Sequence, residues 1–344
     1  MAVITIIGAG MMGSAMSRPA RDNGHTVRLV GTPLDREIIA ELRKSDRHVP
    51  MKRDLPGGIE YFQFEEVQNA LQDCDCVIGG VSSFGVEWFA REVLPLLPPD
   101  VPVLSVTKGM REKERGVLET FPEYLTRSLP AGKHNKFNAI GGPCTSYELM
   151  DRHQTMVYFC GEDLETVEFF RQLLQSDYYH ITTSTDIRGV EVSVALKNAY
   201  AVAVSMGIGL AEKLEGEKAY MYNPQAALFG QSVREMCRLV ALFAGDPALA
   251  GGIPGAGDLF VTIFGGRTRR LGFLLGLGKS YAEAREELKG VTLESVVIIT
   301  VMSKFLREAA AAGKVDIRDF RLMMFLDGVI NNGDPADIPW DEFR

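Results

Sequence analysis

Four short segments of this chain carry side chains whose types and spacing suit phosphate binding and proton transfer. Gly8-Ala9-Gly10-Met11-Met12-Gly13 fits the spacing GxGxxG. Glycines so placed permit a tight turn and let the backbone approach a pyrophosphate, which then meets the unpaired N–H groups at a helix start. Lys108 follows the apolar run 103–107 and precedes Gly109, which projects it from the carboxyl edge of a sheet, where open α/β folds place ligands. Lys197 lies in Val194-Ala195-Leu196-Lys197-Asn198-Ala199-Tyr200-Ala201, a helix apolar on nearly every face. A buried lysine must find a partner or give up its proton more readily, and either outcome suits a proton donor. Asp258 and Thr262 are four apart in Gly255-Ala256-Gly257-Asp258-Leu259-Phe260-Val261-Thr262 and share one face of a helix. Gly265-Gly266-Arg267-Thr268-Arg269-Arg270 follows, a flexible strip whose forked guanidinium donors suit a phosphate.

The elements around these segments divide the chain in two. Residues 3–7 form a β-branched run, the glycine loop follows, a helical stretch leads to Asn23-Gly24, and 27–30 restart a strand. That is one βαβ unit, with Pro19 expected to kink its helix. Further strands are predicted at 76–81, 102–106, 137–140 and 156–159, separated by helical segments such as 86–97 and 166–175. This is the pattern of a doubly wound, mainly parallel sheet covered on both faces. Beyond Asp186 strand-like alternation nearly vanishes, and helices are predicted over 189–207, 225–244, 281–288 and 294–312. The expected organisation is an α/β Rossmann domain at 1–185 that binds a dinucleotide and an all-α domain at 186–344 that carries substrate binding and catalysis.

The second strand ends near Val30, where NAD-specific sites often hold an acid for the ribose 2′-hydroxyl. Gly31-Thr32-Pro33 stands there instead, with Asp35 and Arg36 just beyond. With no carboxylate in the expected place, Thr32 and Arg36 are candidates for a 2′-phosphate, and the reading leans to NADP or dual use of NAD and NADP. The competing reading makes Arg36 a solvated charge at a helix start.

Composition sets the outer bounds. The chain has 344 residues, 46 % of them hydrophobic and 24 % charged, enough for a large core and about two domains. The 37 Lys and Arg against 45 Asp and Glu leave a net charge of -8, which argues against nucleic acid or an anionic membrane as partner. No run of about 18 apolar residues suggests a bilayer span, and the amino terminus enters a strand without a charged leader, so a cytoplasmic protein is expected. The five cysteines form no CxxC pair and read as buried small residues. The five histidines show no metal-ligand spacing, and no metal is assigned.

The order and spacing of IIGAGMMG, VSSFG, SVTKG, GGP, VALKNAYAVA, GAGDLFVT and GGRTRR resemble the NAD(P)-dependent glycerol-3-phosphate dehydrogenases over nearly the whole chain. The resemblance implies reversible hydride transfer between nicotinamide and the C2 carbonyl of dihydroxyacetone phosphate, giving glycerol 3-phosphate. It implies that Lys108 and Lys197 face the reacting carbonyl, with Lys197 as general acid and Asp258 positioning it. It also implies that Asn198, Thr262, Arg267 and Thr268 bind the substrate, and that the glycine loop and the loop with Val81 and Ser82 hold the cofactor. Thr268 stands where the family has an asparagine. The acid or amide of the family's VEG element, which helps hold the cofactor, is matched to Lys289 in Leu288-Lys289-Gly290-Val291, a change of charge sign. These differences leave open a dehydrogenase of the same fold acting on another phosphorylated or carboxylated polyol or a 2-keto acid. A cofactor-sensing module without chemistry is the reading from a different class. By analogy with the architecture, a homodimer is expected.

Overall fold

A computed structural model describes residues 1–114 and 117–343. It divides into two compact units, one of Met1–Lys108 with Thr120–Ile187 and one of Gly109–Glu119 with Arg188–Arg344.

The first unit is built on an eight-stranded sheet. Its strands lie in the order Tyr179–Ser184, Thr155–Gly161, Phe137–Gly141, Val103–Ser105, Cys76–Gly79, Val3–Ile7, Thr26–Val30, Ile59–Phe62. All neighbours pair in parallel except Phe137–Gly141 with Thr155–Gly161. Ile4, Ile6 and Ile7 of the central strand are fully buried, as a strand covered on both faces requires. Sequence patterning missed the strands Ile59–Phe62 and Tyr179–Ser184. Both are edge strands with exposed residues among buried ones, so neither reads as a continuous apolar run. The helix after the glycine loop is broken at Met16 into Met11–Ala15 and Ser17–Asp22. Pro19 lacks the N–H that would bond the Ala15 carbonyl, which accounts for a break at that turn.

Among the described residues the second unit is helical apart from the strand Met110–Glu114 and most of its partner Val117–Thr120, a hairpin that the sequence reading kept whole in the first domain. The side chain of Met110 joins the helical core, and Lys304 pairs with Glu112. The centre of the unit is the helix Ile187–Glu215. Val194, Leu196, Ala199, Ala201 and Val202 point in different directions around it and are all fully buried, so it is covered on all sides. By length and composition alone this helix is apolar enough to cross a bilayer, against the expectation that no such stretch exists. Most of its apolar window, 83 %, is buried, the environment of a core helix.

A second helix, Gly266–Gly276, is pressed onto it. A Cβ on Gly272 would lie 2.2 Å from the Val202 carbonyl oxygen, and one on Gly276 2.1 Å from that of Met206, so backbone meets backbone. The fully buried Glu235 ties the helix Tyr222–Leu242 to the same core. Its Oε1 accepts from Gln231 and the Leu322 N–H, both at 2.8 Å, and its Oε2 from the Tyr200 hydroxyl at 2.9 Å and the Met323 N–H at 3.0 Å. Burial pushes this carboxyl above the usual carboxylate range, and the four donors oppose that shift. Removing the carboxylate orphans all four at once. Glu235→Ala is therefore expected to cost about 3 kcal/mol or more of unfolding free energy in urea titrations.

Candidate active site

In the first unit the central strand Val3–Ile7 separates connections that run to opposite sides, and its carboxyl end is where such sheets bind ligands. The Gly8 N–H donates to the Val30 carbonyl at 2.8 Å and the Gly80 N–H to the Ile7 carbonyl at 2.7 Å, which brings two loops together. Gly8 has φ +116°, and a Cβ on it would fall 2.7 Å from the Gly80 carbonyl group. Gly13 lies behind it, with no room for a Cβ against the Gly8 oxygen at 2.1 Å. Gly10 differs: no protein atom stands within 4 Å of where its Cβ would be.

A cleft of about 470 Å³ opens there, lined by Gly8, Gly10, Thr32, Pro33, Asp35, Gly80, Val81, Ser82, Phe84 and Trp88. Met11 and Met12 follow in the first helical turn, whose N–H groups have no intrahelical acceptors. The Thr107 hydroxyl donates to the Val81 carbonyl at 2.6 Å and fixes the far loop. The open face of Gly10, the spare N–H donors and the apolar wall of Val81, Phe84 and Trp88 fit a dinucleotide with a pyrophosphate and a flat base. Gly8, Gly10, Thr32, Val81 and Ser82 of the predicted set share this cleft.

The ribose end departs from the sequence reading. A carboxylate does reach the cleft: Asp35 Oδ2 accepts from the Ala9 N–H at 3.1 Å, the Thr32 N–H at 2.8 Å and the Thr32 hydroxyl at 2.7 Å. The turn 31–34 folds the chain back, so an acid five residues past the strand arrives where one at its end was expected. Arg36 does not line the cleft; it is exposed and pairs with Glu65. The Thr32 and Arg36 pair proposed for a 2′-phosphate is therefore not assembled, since Thr32 is turned to Asp35 and Arg36 to Glu65.

Lys108 ends the first unit, and its Nζ donates to the Gly142 carbonyl at 2.8 Å. Gly142, at φ +118°, belongs to the turn Gly141-Gly142-Pro143-Cys144 that closes the neighbouring strand.

In the second unit Lys197 is nearly buried in the core helix, its side chain 11 % exposed. Its ammonium donates to Asp258 Oδ1 and to Thr262 Oγ1, each at 2.9 Å. Asp258 and Thr262 are the two ends of the helix Asp258–Thr262, and the Thr262 hydroxyl also donates to the Asp258 carbonyl at 2.7 Å. The shared face expected from their spacing is thus turned onto the lysine. Asn198 is buried next to it in sequence. A buried ammonium held by a carboxylate and a hydroxyl is a charge fixed in place.

Arg267 and Thr268 occupy the first turn of Gly266–Gly276 rather than a flexible strip. The clamping of that helix by Gly272 and Gly276 accounts for the order. Arg267 is half exposed and stands 3.6 Å from Glu294, while Arg269 lies over the Phe273 ring. The Lys289 side chain is 79 % exposed and pairs with Glu286. The acid beside Arg267 is Glu294, in Leu293-Glu294-Ser295, five residues further on.

Known proteins of one family resemble this chain over most of its length. The family model described as the NAD-dependent glycerol-3-phosphate dehydrogenase N-terminus matches residues 3–167, and the corresponding C-terminus model matches residues 186–338. An NADP(+)-dependent glycerol-3-phosphate dehydrogenase of Archaeoglobus fulgidus is 34 % identical over 287 residues, covering 83 % of this chain and 84 % of the relative. A glycerol-3-phosphate dehydrogenase [NAD(P)+] of Streptococcus sanguinis is 26 % identical and covers 99 % of this chain and 98 % of its own. The fold is that of a glycerol-3-phosphate dehydrogenase crystal structure from Coxiella burnetii, with a TM-score of 0.79 at 22 % identity over 97 % of this chain and 96 % of that one. With both of its domains matched in order, this chain belongs to the NAD-dependent glycerol-3-phosphate dehydrogenase family.

Proposed function

We propose that this NAD(P)-dependent oxidoreductase reduces the C2 carbonyl of dihydroxyacetone phosphate to glycerol 3-phosphate, reversibly, with Lys197 as the general acid and base. The observation that carries the reading is the Lys197 ammonium, buried and held between the Asp258 carboxylate and the Thr262 hydroxyl. When bound, the nicotinamide cofactor supplies or accepts the hydride. Reduction of a ketone places negative charge on its oxygen, and a positioned cation that also carries a proton lowers the barrier twice over. Asp258 holds the Lys197 ammonium in place and limits its rotamers. In the reverse direction the same lysine, once deprotonated, accepts the proton of the hydroxyl.

Lys108 polarises the carbonyl in this reading, its chain anchored by the Gly142 oxygen. Asn198 and Thr262 bind substrate oxygens. The phosphate is assigned to Arg267 and the first turn of its helix, where a guanidinium and spare N–H donors reinforce each other. Thr268 offers a hydroxyl in that turn. The alternative of another polyol or a keto acid draws on Lys289 and Thr268.

Oxidation of NADH or NADPH followed at 340 nm is expected with dihydroxyacetone phosphate, and activity confined to an unphosphorylated keto acid would overturn the assignment. Lys197→Ala is expected to lower kcat by roughly 10²- to 10⁴-fold while cofactor affinity stays within about twofold. Turnover close to that of the wild type would remove Lys197 from the mechanism. Arg267→Ala is expected to raise KM for the phosphorylated substrate roughly 10- to 100-fold, the scale of a hydrogen bond to a charged group, with kcat much less affected. An unchanged KM would place the phosphate elsewhere.

A further inference from the structure

The backbone of the glycine loop is held by two side chains from outside it. The Ala9 N–H donates to Asp35 Oδ2 at 3.1 Å, and the Ala9 carbonyl lies 2.9 Å from Nε2 of His48. His48 is fully buried, and its other nitrogen, Nδ1, accepts from the Met51 N–H at 3.1 Å. That second bond decides the tautomer. A backbone N–H can only donate, so Nδ1 carries a lone pair, and the ring proton sits on Nε2 and is donated to Ala9.

His48 reaches the loop because a small hairpin presents it. Arg47–His48 pairs with Arg53–Asp54, the Lys52 N–H donates to the Val49 carbonyl across the turn, and Arg53 forms a forked pair with Asp151 at 2.8 Å through both Nε and an Nη. The imidazole is thus a buried donor on a braced support, 39 residues from the atom it binds.

The consequence follows from peptide geometry. In a trans peptide the C=O of one residue and the N–H of the next point in opposite directions. Holding the Ala9 oxygen therefore sets the direction of the Gly10 N–H, the donor at the N-cap beside the cleft. Holding the Ala9 N–H likewise sets the Gly8 carbonyl, which closes on Gly13 and Gly80. Flanked by two glycines, the Ala9 peptides have little steric restraint of their own. We propose that His48, as its Nε2–H tautomer, is a positioning residue for the dinucleotide, orienting the Gly10 N–H toward the pyrophosphate by holding the Ala9 carbonyl. This rests on the dinucleotide reading of the cleft.

The test compares two amides of similar size. Glutamine places its amide near the position of Nε2 and can still donate to Ala9, whereas asparagine reaches only the position of Nδ1 and can satisfy Met51 alone. His48→Asn is expected to weaken NADH and NADPH binding roughly tenfold, the worth of one hydrogen bond, by fluorescence titration, with kcat at saturating cofactor unchanged. His48→Gln is expected to stay within about threefold of wild type. Equal affinities in the two variants, or a fall in kcat with cofactor KM unchanged, would overturn the proposal. A second measurement needs no variant: ring ¹⁵N shifts of His48 in the wild-type protein are expected to report Nε2–H, and an Nδ1–H tautomer would overturn it even if the asparagine variant does not fold. A wild-type protein that binds neither NADH nor NADPH would instead remove the cofactor reading, and this inference with it.

Discussion

The helical unit is organised around one buried charge. An ammonium in the middle of a core helix is tolerable only if a carboxylate and further oxygen acceptors meet it without water, and Asp258 and Thr262 do so. The surroundings make that meeting obligatory. The five-residue helix Asp258–Thr262 follows a wide turn, Ile253–Gly257, in which Gly255 has no room for a Cβ against the Ala250 backbone. The acid is thereby delivered to the lysine by backbone packing rather than by a flexible side chain reaching across. The fixed position of the ammonium is a by-product of satisfying its charge.

Close backbone contact is the second device, and it recurs in both units. Gly8, Gly13 and Gly80 let two loops of the sheet touch, while Gly272 and Gly276 let two helices touch. Where side chains are absent, separation is set by backbone atoms alone, which cannot adopt alternative rotamers. The glycine loop in one unit and the helix Gly266–Gly276 in the other are accordingly supported by backbone contacts. His48 and Asp35 extend this principle by fixing the planes of peptides that glycine would otherwise leave free.

Much of the site was legible in the primary structure because its signals are local. The GxGxxG turn, the lysine at a strand end, the lysine on an apolar helix and the i, i+4 pair of Asp258 and Thr262 each depend on a few neighbouring residues. The errors lie where a side chain's partner is distant in sequence. Asp35 looked too far from its strand until the turn 31–34 folded it back onto Ala9. Arg36 looked available until Glu65 claimed it. Lys289 looked like an inserted site charge, yet it faces outward onto Glu286, and Glu294 stands beside Arg267. The edge strands Ile59–Phe62 and Tyr179–Ser184 escaped notice because half-exposed strands lack the continuous apolar run of central ones.

The amino-acid sequence by itself determined most of the element types, the glycine-rich turn and the titratable residue types available, since propensity, glycine permissiveness and periodicity act over one or two turns of chain. The tertiary structure alone decided which charges meet. Lys197 and Asp258 are 61 residues apart, and Ala9 and His48 are 39 apart. Electrostatic and hydrogen-bond energies depend on ångström distances and on the exclusion of water, and both come into being only when the packed core brings those segments together.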